Sequence, residues 1–202
     1  MFALVESGSI TKMLNGNKGI IIDGVQHPKT IYTLWTEAER NAIGIYTVEM
    51  DNSKKKDEKW YTNTNITYAF SGGKVTGSYG DATAKKHADT LFTAQDETDG
   101  LGTEGDVRSE GLKTVLIRDV KKHAESILSK TDWYITRKSE KNTAIPSAIT
   151  THRDAVRTKQ AEQETAITNA SDTAALETLY TYTEQEDGSI TRPLGELPTL
   201  ED

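Results

Sequence analysis

The residues that could do chemistry are few, and the clearest motif is a glycine-rich run. Gly100-Leu101-Gly102-Thr103-Glu104-Gly105 matches the G-x-G-x-x-G pattern of dinucleotide-binding loops, where backbone amides and a helix N-terminus hold a pyrophosphate. Such a loop follows a buried strand. Here the acidic run Asp96-Glu97-Thr98-Asp99 precedes it and would repel phosphate. We therefore interpret residues 100–105 as a flexible connector and expect no nucleotide cofactor.

The same segment also resembles a calcium-binding loop in its spacing of oxygen-bearing side chains: Gln95, Glu97, Asp99 and Asp106, with Gly100 at the turn. A calcium loop needs oxygen ligands at alternating positions and a bidentate carboxylate at its end, usually Glu. Gln95 stands at the first position and the shorter Asp106 at the last. We therefore expect no calcium site.

The remaining candidate groups do not form a catalytic or metal-binding pattern. The four histidines lack the spacing of metal ligands and are expected at surfaces or helix flanks: His27, His87, His123 and His152. The chain contains no cysteine, which excludes disulfides, thiolate metal sites and thiol nucleophiles. No nucleophile elbow and no phosphate loop with Lys-Ser/Thr occurs in the sequence. The chain is therefore not expected to be an enzyme or to bind a cofactor or metal.

Composition indicates a chain with little apolar material for its length. Hydrophobic residues make up 35% of the 202 residues and charged residues 27%, with a net charge of −7. Globular domains are usually about 45–50% apolar, on a count that includes glycine. We therefore expect two small or elongated modules stabilised by partners. No apolar run approaches the roughly 18 residues of a membrane span, and residues 1–10 do not read as a secretory signal.

Residues 1–80 predict a β-rich module, followed by a polar connector over residues 81–106 that could hold a helix at Ala82–Phe92. Thr36 begins a short helix with Glu39 at the capping-box position, and Gly72-Gly73 predicts a hairpin. Several runs are rich in β-branched and aromatic residues, which suit a half-buried pleated surface. They are Phe2–Val5, Gly19–Ile22, Ile31–Trp35, Ile45–Val48 and Lys59–Phe70.

Residues 107–180 predict a helical module. An apolar side chain recurs every four residues and forms one helix face, at Leu112, Leu116, Val120, Ala124 and Leu128. Thr131 or Asp132 caps a second helical stretch, and Pro146 suits the first turn of a third over Ser147–Asn169. A short last helix spans Thr173–Tyr180.

Residues 181–202 predict an extended acidic tail, because Pro193 and Pro198 exclude one continuous helix. Its apolar residues Ile190, Leu194, Leu197 and Leu200 are expected to anchor it against a neighbouring subunit, where residues 108–160 of an adjacent copy offer a basic surface. The alternative is a disordered chain end. The predicted fold class is therefore α+β: a small β-rich N-terminal module, a helical hairpin or small bundle, and an extended acidic C-terminal tail.

Charge is unevenly distributed along the chain. Residues 1–107 carry a net charge of −4, residues 108–160 carry +6 and residues 161–202 carry −9. A basic segment of this kind indicates either an anionic partner or a solvated helix whose charges are balanced within an assembly. Acidic residues alternate with the basic ones and few aromatics accompany them, so nucleic acid is not the expected partner.

Residues 111–180 resemble the C-terminal helical module of tailed-bacteriophage tail-fibre and tail-assembly-chaperone-like proteins. That family's pattern is a basic helix ending in Leu-Leu, then Thr/Ser-Asp-Trp, a polar turn with Pro, and a final Tyr/His-Arg-x-x-Val/Leu-Arg motif. The corresponding elements here are Ile127-Leu128, Thr131-Asp132-Trp133, Pro146, and His152-Arg153 to Val156-Arg157. The first five residues, Met1–Val5, and the run Arg192–Gly195 are also similar to small tail-associated proteins of marine and cyanobacterial phages.

Physical reasoning assigns roles to the residues of this motif. Trp133, just inside a capped helix, is expected to lie buried across the elbow between two helices, with Arg137 one turn further along the same helix. Arg153 and Arg157 are also one turn apart. They could pair with Asp132 or Glu140, or lie on the Trp133 ring.

The resemblance implies one of two roles. The first is a structural protein of the phage tail, baseplate or fibre, which bridges neighbouring subunits in the virion. The second is an assembly chaperone that acts in the host cytoplasm and leaves no copy in the virion. Both roles imply other tail or fibre subunits as partners, in a homo-oligomer or a larger assembly, and no membrane.

Overall fold

The computed structural model describes residues 1–200 and has the predicted α+β class. The chain divides into two compact units, residues 1–83 and residues 84–202. Most strands lie in the first unit, and the long helices lie in the second.

The first unit is built on a five-stranded sheet with the strand order β2-β1-β5-β8-β7. Neighbouring strands are antiparallel except β5 and β8, which run parallel. The strands and helices of this unit are β1 (Phe2–Glu6), β2 (Ser9–Leu14), β3 (Ile20–Ile22), β4 (Val25–His27), α1 (Ile31–Leu34), α2 (Glu37–Ala42), β5 (Ile45–Asp51), β6 (Tyr61–Thr62), β7 (Thr67–Ser71) and β8 (Lys74–Ser78). A two-residue strand, β9 (Thr83–Ala84), lies where the two units meet in sequence.

The sheet buries apolar side chains on both of its faces, because successive residues of a strand point to opposite sides. Leu4 packs with Ile31, Tyr32 and Ile45 in one cluster. Its neighbours Ala3 and Val5 pack with Val75 in another. The predicted capping box at Thr36 and Glu39 is present, and so is the hairpin at Gly72-Gly73.

The predicted strand over Ile31–Trp35 is wrong, because residues 31–34 form the short helix α1. β-Branched and aromatic side chains favour strands only through the packing they find. Here a single helical turn, which follows a turn at Pro28, places the side chains of Ile31 and Tyr32 in the core, where both are almost fully buried. Tertiary burial therefore overrides the local preference.

The second unit begins with three short elements, β10 (Thr90–Leu91), α3 (Ala94–Thr98) and β11 (Val107–Ser109), in which β10 and β11 pair. The helix expected over Ala82–Phe92 is wrong, since this stretch contains only β9, β10 and loops. Four helices and a small hairpin follow: α4 (Leu112–Ser129), α5 (Asp132–Lys141), α6 (Ser147–Asn169), α7 (Thr173–Tyr180), β12 (Thr183–Glu184) and β13 (Ile190–Thr191).

The N-terminus of α4 is held by the loop of residues 86–89. The carbonyls of Lys86 and His87 accept hydrogen bonds from the amides of Leu112 and Lys113, at 3.0 and 2.9 Å. The Asp89 carboxylate accepts one from the Gly111 amide at 2.6 Å. These bonds satisfy amides that a helix leaves without internal partners. The loop passes so close that a Cβ on Gly111 would clash with the backbone of Ala88.

The core of the second unit lies between α4 and α6, which pack side by side. Helix α4 contributes Leu116, Val120, Ala124 and Ile127 to the buried set. The inward residues of α6 are Ile149, His152, Arg153, Val156, Gln163 and Ile167. Helix α6 therefore contributes three buried polar side chains to the core, and one of them, Arg153, belongs to the elbow described next.

Candidate interaction site

The elbow between α4 and α5 is held by Arg153 of α6, which is 7% exposed. Its Nη1 donates to the Leu128 carbonyl at 2.7 Å and to the Thr131 hydroxyl at 2.6 Å. The carbonyls at the end of α4 lack partners within the helix, and a cation there also interacts favourably with the helix dipole. Arg153 therefore fixes where α4 ends and α5 begins.

The elbow residues Thr131 and Asp132 complete this arrangement. Thr131 is buried, and both its amide and its hydroxyl donate to the Leu128 carbonyl at 3.0 Å. The Asp132 carboxylate lies 2.9 Å from Nη2 of Arg153, with its side chain 59% exposed. The sequence leaves Asp132, Glu140 and the Trp133 ring open as partners of Arg153, and in the structure Arg153 pairs with Asp132. Arg157 does not join it, because its guanidinium pairs with Asp154 at 3.4 Å on the surface.

Trp133 is not buried across the elbow, and that expectation is wrong. The side chain is 51% exposed. Its ring centroid lies 3.8 Å from that of Tyr134, and the guanidinium carbon of Arg137 lies 4.8 Å from the Trp133 centroid. The interior of the elbow is occupied instead by the buried side chains of Thr131 and Arg153, so the indole turns outward.

One side of α5 presents aromatic and basic side chains together. Residues three or four positions apart share a side of a helix, and this spacing groups Trp133, Tyr134, Arg137, Lys138 and Lys141. We call this set the α5 face. It carries three basic residues, and one acidic residue, Glu140, lies on the same side three positions after Arg137. Trp133, Lys138 and Lys141 are exposed, and Tyr134 and Arg137 are half-buried.

A cavity of about 360 Å³ opens beside the α5 face. Its apolar and aromatic walls include Ile127, Trp133, Tyr134, Ile149 and Leu200. His152 also lines it. That side chain is 9% exposed, and within residues 1–200 its Nε2 atom has no hydrogen-bond partner. Lys130, Thr131 and Thr199 also line the cavity, so its walls are mixed in polarity.

His152 was expected at a surface or helix flank, and its burial corrects that expectation. It lies three residues after Ile149 and four before Val156, both buried on the inward side of α6. This spacing is the signal that could have placed it in the core. Pro146, the other motif residue of this region, is the exposed N-cap of α6.

Leu194 and Leu197 pack within their own chain, so the expectation that they anchor the tail against a neighbouring subunit is wrong. They are 3% and 5% exposed. Leu197 joins a cluster with Ala124, Ile127 and Val156. The buried amide of Gln163 donates to the Gly195 carbonyl at 2.9 Å. The tail is thus part of the second unit's core at residues 194–197.

The acidic side chains around the glycine-rich run are engaged in local hydrogen bonds. Asp96 accepts from the Thr93 amide at 2.9 Å and pairs with Arg108 at 2.9 Å. Glu97 accepts from the Glu104 amide at 3.2 Å. Across the described part of the chain, no three His, Asp or Glu side chains lie together as a metal site would require.

Comparisons with known proteins found no protein similar to this chain. No protein-family model matches the chain, and no curated protein or solved structure matches it. Among the helices of residues 1–200, none is long and apolar enough to cross a membrane.

Proposed function

We propose that this protein is a non-enzymatic interaction component of a phage tail, baseplate or fibre. It bridges neighbouring subunits in the virion, after assembly in the host cytoplasm. The observation that carries the interaction role is the α5 face, where exposed aromatic and basic side chains border a cavity that is partly apolar. The assignment to a tail comes from the resemblance of residues 111–180.

The α5 face has the composition of a binding surface. Trp, Tyr and Arg are the residues that most often dominate the energy of protein interfaces. Here Arg137 lies 4.8 Å from the Trp133 centroid and 5.4 Å from that of Tyr134. Rings already held in one arrangement lose little freedom when a partner covers them. The hydrogen bonds of Arg153 hold the helix that presents them.

A second candidate function is the assembly chaperone, and the docked tail favours it. Leu194 and Leu197 complete the core of the helical unit within one chain. A unit that does not need a neighbour to close its core suits a factor that binds tail subunits transiently and then dissociates.

Mass spectrometry of purified particles separates the two roles. A structural protein should appear in the particle at a fixed ratio to known tail subunits. A chaperone should be abundant in infected cells and absent from washed particles, and that result would overturn the virion role.

Substitution of Trp133 tests the interaction surface in the same system. If the protein is a virion component, Trp133→Ala should lower its incorporation into particles. If it is an assembly chaperone, the same change should lower the yield of assembled tails. The matched control is Leu101→Ala, which truncates another exposed apolar side chain of the same unit, 58% exposed. Equal incorporation and equal tail yield for both variants would show that the α5 face is not the contact.

A further inference from the structure

The hairpin of β12 and β13 is a second exposed feature of the helical unit. Every residue from 181 to 191 is exposed. The strands pair through only two residue pairs. Glu184, Glu186 and Asp187 surround the turn without a basic residue in the segment. Next to them Ile190 is 68% exposed and Tyr182 is 53% exposed. We call residues 181–191 the acidic hairpin.

The acidic hairpin and the α5 face are complementary in two respects. The hairpin carries three acidic residues and no basic one, whereas the side of α5 that holds the face carries three basic residues, Arg137, Lys138 and Lys141, against one acidic residue, Glu140. The hairpin also exposes an aliphatic side chain, Ile190, and the face borders a cavity that is partly apolar. In the same chain the C-terminal residues that line this cavity are Thr199 and Leu200, and the hairpin is not among the lining residues.

We propose that the α5 face of one copy of this protein binds the acidic hairpin of a second copy. Ile190 packs against Trp133 at the mouth of the cavity, and the carboxylates of the hairpin lie opposite the three basic side chains.

A second copy suits this surface better than nucleic acid does. Single strands bind proteins through free aromatic faces on which bases stack. Here one side of the Trp133 ring lies against Tyr134, at an interplanar angle of 32°, and Arg137 lies close to both rings. The walls of the cavity include Ile127, Ile149 and Leu200, which suit an aliphatic side chain such as Ile190 better than a phosphate backbone.

The contact joins two different surfaces, so two copies can exchange both contacts in a closed dimer, or successive copies can form a chain. In either case the association depends on opposite charges across the contact. It does not depend on the proposed role in a phage tail, and it can be measured on the purified protein alone.

Sedimentation velocity of the full chain over a range of concentrations tests the proposal. Lys138→Glu/Lys141→Glu reverses the α5 face, and Glu184→Lys/Glu186→Lys reverses the hairpin. All four residues are exposed, and circular dichroism checks that the helices are intact. The matched control is Lys122→Glu, an exposed lysine of α4.

We expect the wild-type protein to associate at 0.1 M salt and less so at 1 M, where the screening length falls from about 10 to about 3 Å. Each reversed variant alone should associate at least about tenfold more weakly, which is about 1.4 kcal/mol. An equimolar mixture of the two should regain association, because it pairs a wild-type face with a wild-type hairpin. Lys122→Glu should behave as wild type.

Three results would overturn the proposal. The first is a wild-type protein that stays monomeric at every concentration. The second is a mixture that associates no better than either reversed variant alone, or a Lys122→Glu control that weakens association equally. The third is a monomeric protein whose α5 face binds a single-stranded oligonucleotide and loses that binding in Lys138→Glu/Lys141→Glu, which would identify the face as a nucleic-acid surface.

Discussion

Removal of the Arg153 guanidinium should destabilise the helical unit more than any other change at the elbow. Arg153→Met retains the aliphatic stem in the core and deletes the groups that bond to Leu128 and Thr131. Each hydrogen bond that involves a charged group contributes about 1.5–3 kcal/mol. The free energy of taking a guanidinium out of water offsets part of this. We therefore expect a net loss of about 2–3 kcal/mol in the free energy of unfolding.

The contribution of Asp132 should be much smaller. Its side chain is 59% exposed, and ion pairs with an exposed partner are worth about 0–1 kcal/mol. Asp132→Asn should therefore cost less than about 1 kcal/mol. Arg157→Met is the matched control, because Arg157 makes an exposed ion pair with Asp154 on the same helix. It should cost less than about 0.5 kcal/mol.

Urea unfolding followed by far-ultraviolet circular dichroism measures these differences. The signal reports on the second unit, because α4 to α7 all lie there. A lower midpoint at an unchanged slope is the expected result for Arg153→Met. If Arg153→Met unfolds within about 0.5 kcal/mol of wild type, or if Asp132→Asn costs as much as Arg153→Met, the hydrogen bonds to α4 do not hold the elbow and this reasoning is wrong.

Three further predictions concern the same unit. Trp133→Ala should lower the free energy of unfolding by less than about 1 kcal/mol, because the ring is half exposed. Ile167→Ala, at a fully buried position, should lower it by about 2–5 kcal/mol. Equal losses for the two variants would refute the outward placement of the ring. Gly111→Ala should destabilise the unit by about 1–3 kcal/mol, because the new methyl group meets the Ala88 backbone. A urea midpoint equal to that of wild type would show that the loop moves aside to accommodate the methyl group. Hydrogen bonds from Gly111 and Thr114 lower the pKa of Asp89 from its ordinary value of 3.8, so its stabilising effect is present above that value and disappears as pH falls through the lowered pKa. Asp89→Asn should therefore unfold more easily than wild type at pH 7, and the difference should shrink below pH 4; a difference independent of pH would contradict the assignment to this carboxylate.

The elements that sequence could predict are those whose signals are local. Helices α6 and α7 begin and end at the predicted residues, because Pro146, Asp172 and the apolar spacing mark them. The hairpin at Gly72-Gly73 follows from turn chemistry. Helix α1 could not be predicted in this way, because its residues favour strands and only their burial in the first unit's core makes the helical turn stable.

The site was harder to predict than the fold. The pairing of Arg153 with Asp132 could be proposed from the motif, since guanidinium and carboxylate groups pair readily, but the sequence left Glu140 and the Trp133 ring open as other partners. The exposure of Trp133 could not, because a tryptophan at an elbow is ordinarily read as core. The orientation of the indole depends on which other side chains fill the elbow. One of them is Arg153 of α6, and the sequence does not show how close α6 lies to the elbow.

The polar closure of the elbow and the exposed indole are two consequences of one arrangement. A buried Trp133 would have stabilised the helical unit through its large apolar area and would have left no aromatic surface for a partner. With Arg153 and Thr131 inside, the elbow is held by hydrogen bonds that require little volume, and the ring stays outside with Tyr134 and Arg137. The same reasoning applies to the tail, where Leu194 and Leu197 close the core and the acidic hairpin before them stays in solvent. The side chains that stabilise the unit therefore differ from those of the proposed binding surface, so substitutions on the α5 face should leave the fold intact and, if the proposal is correct, change binding.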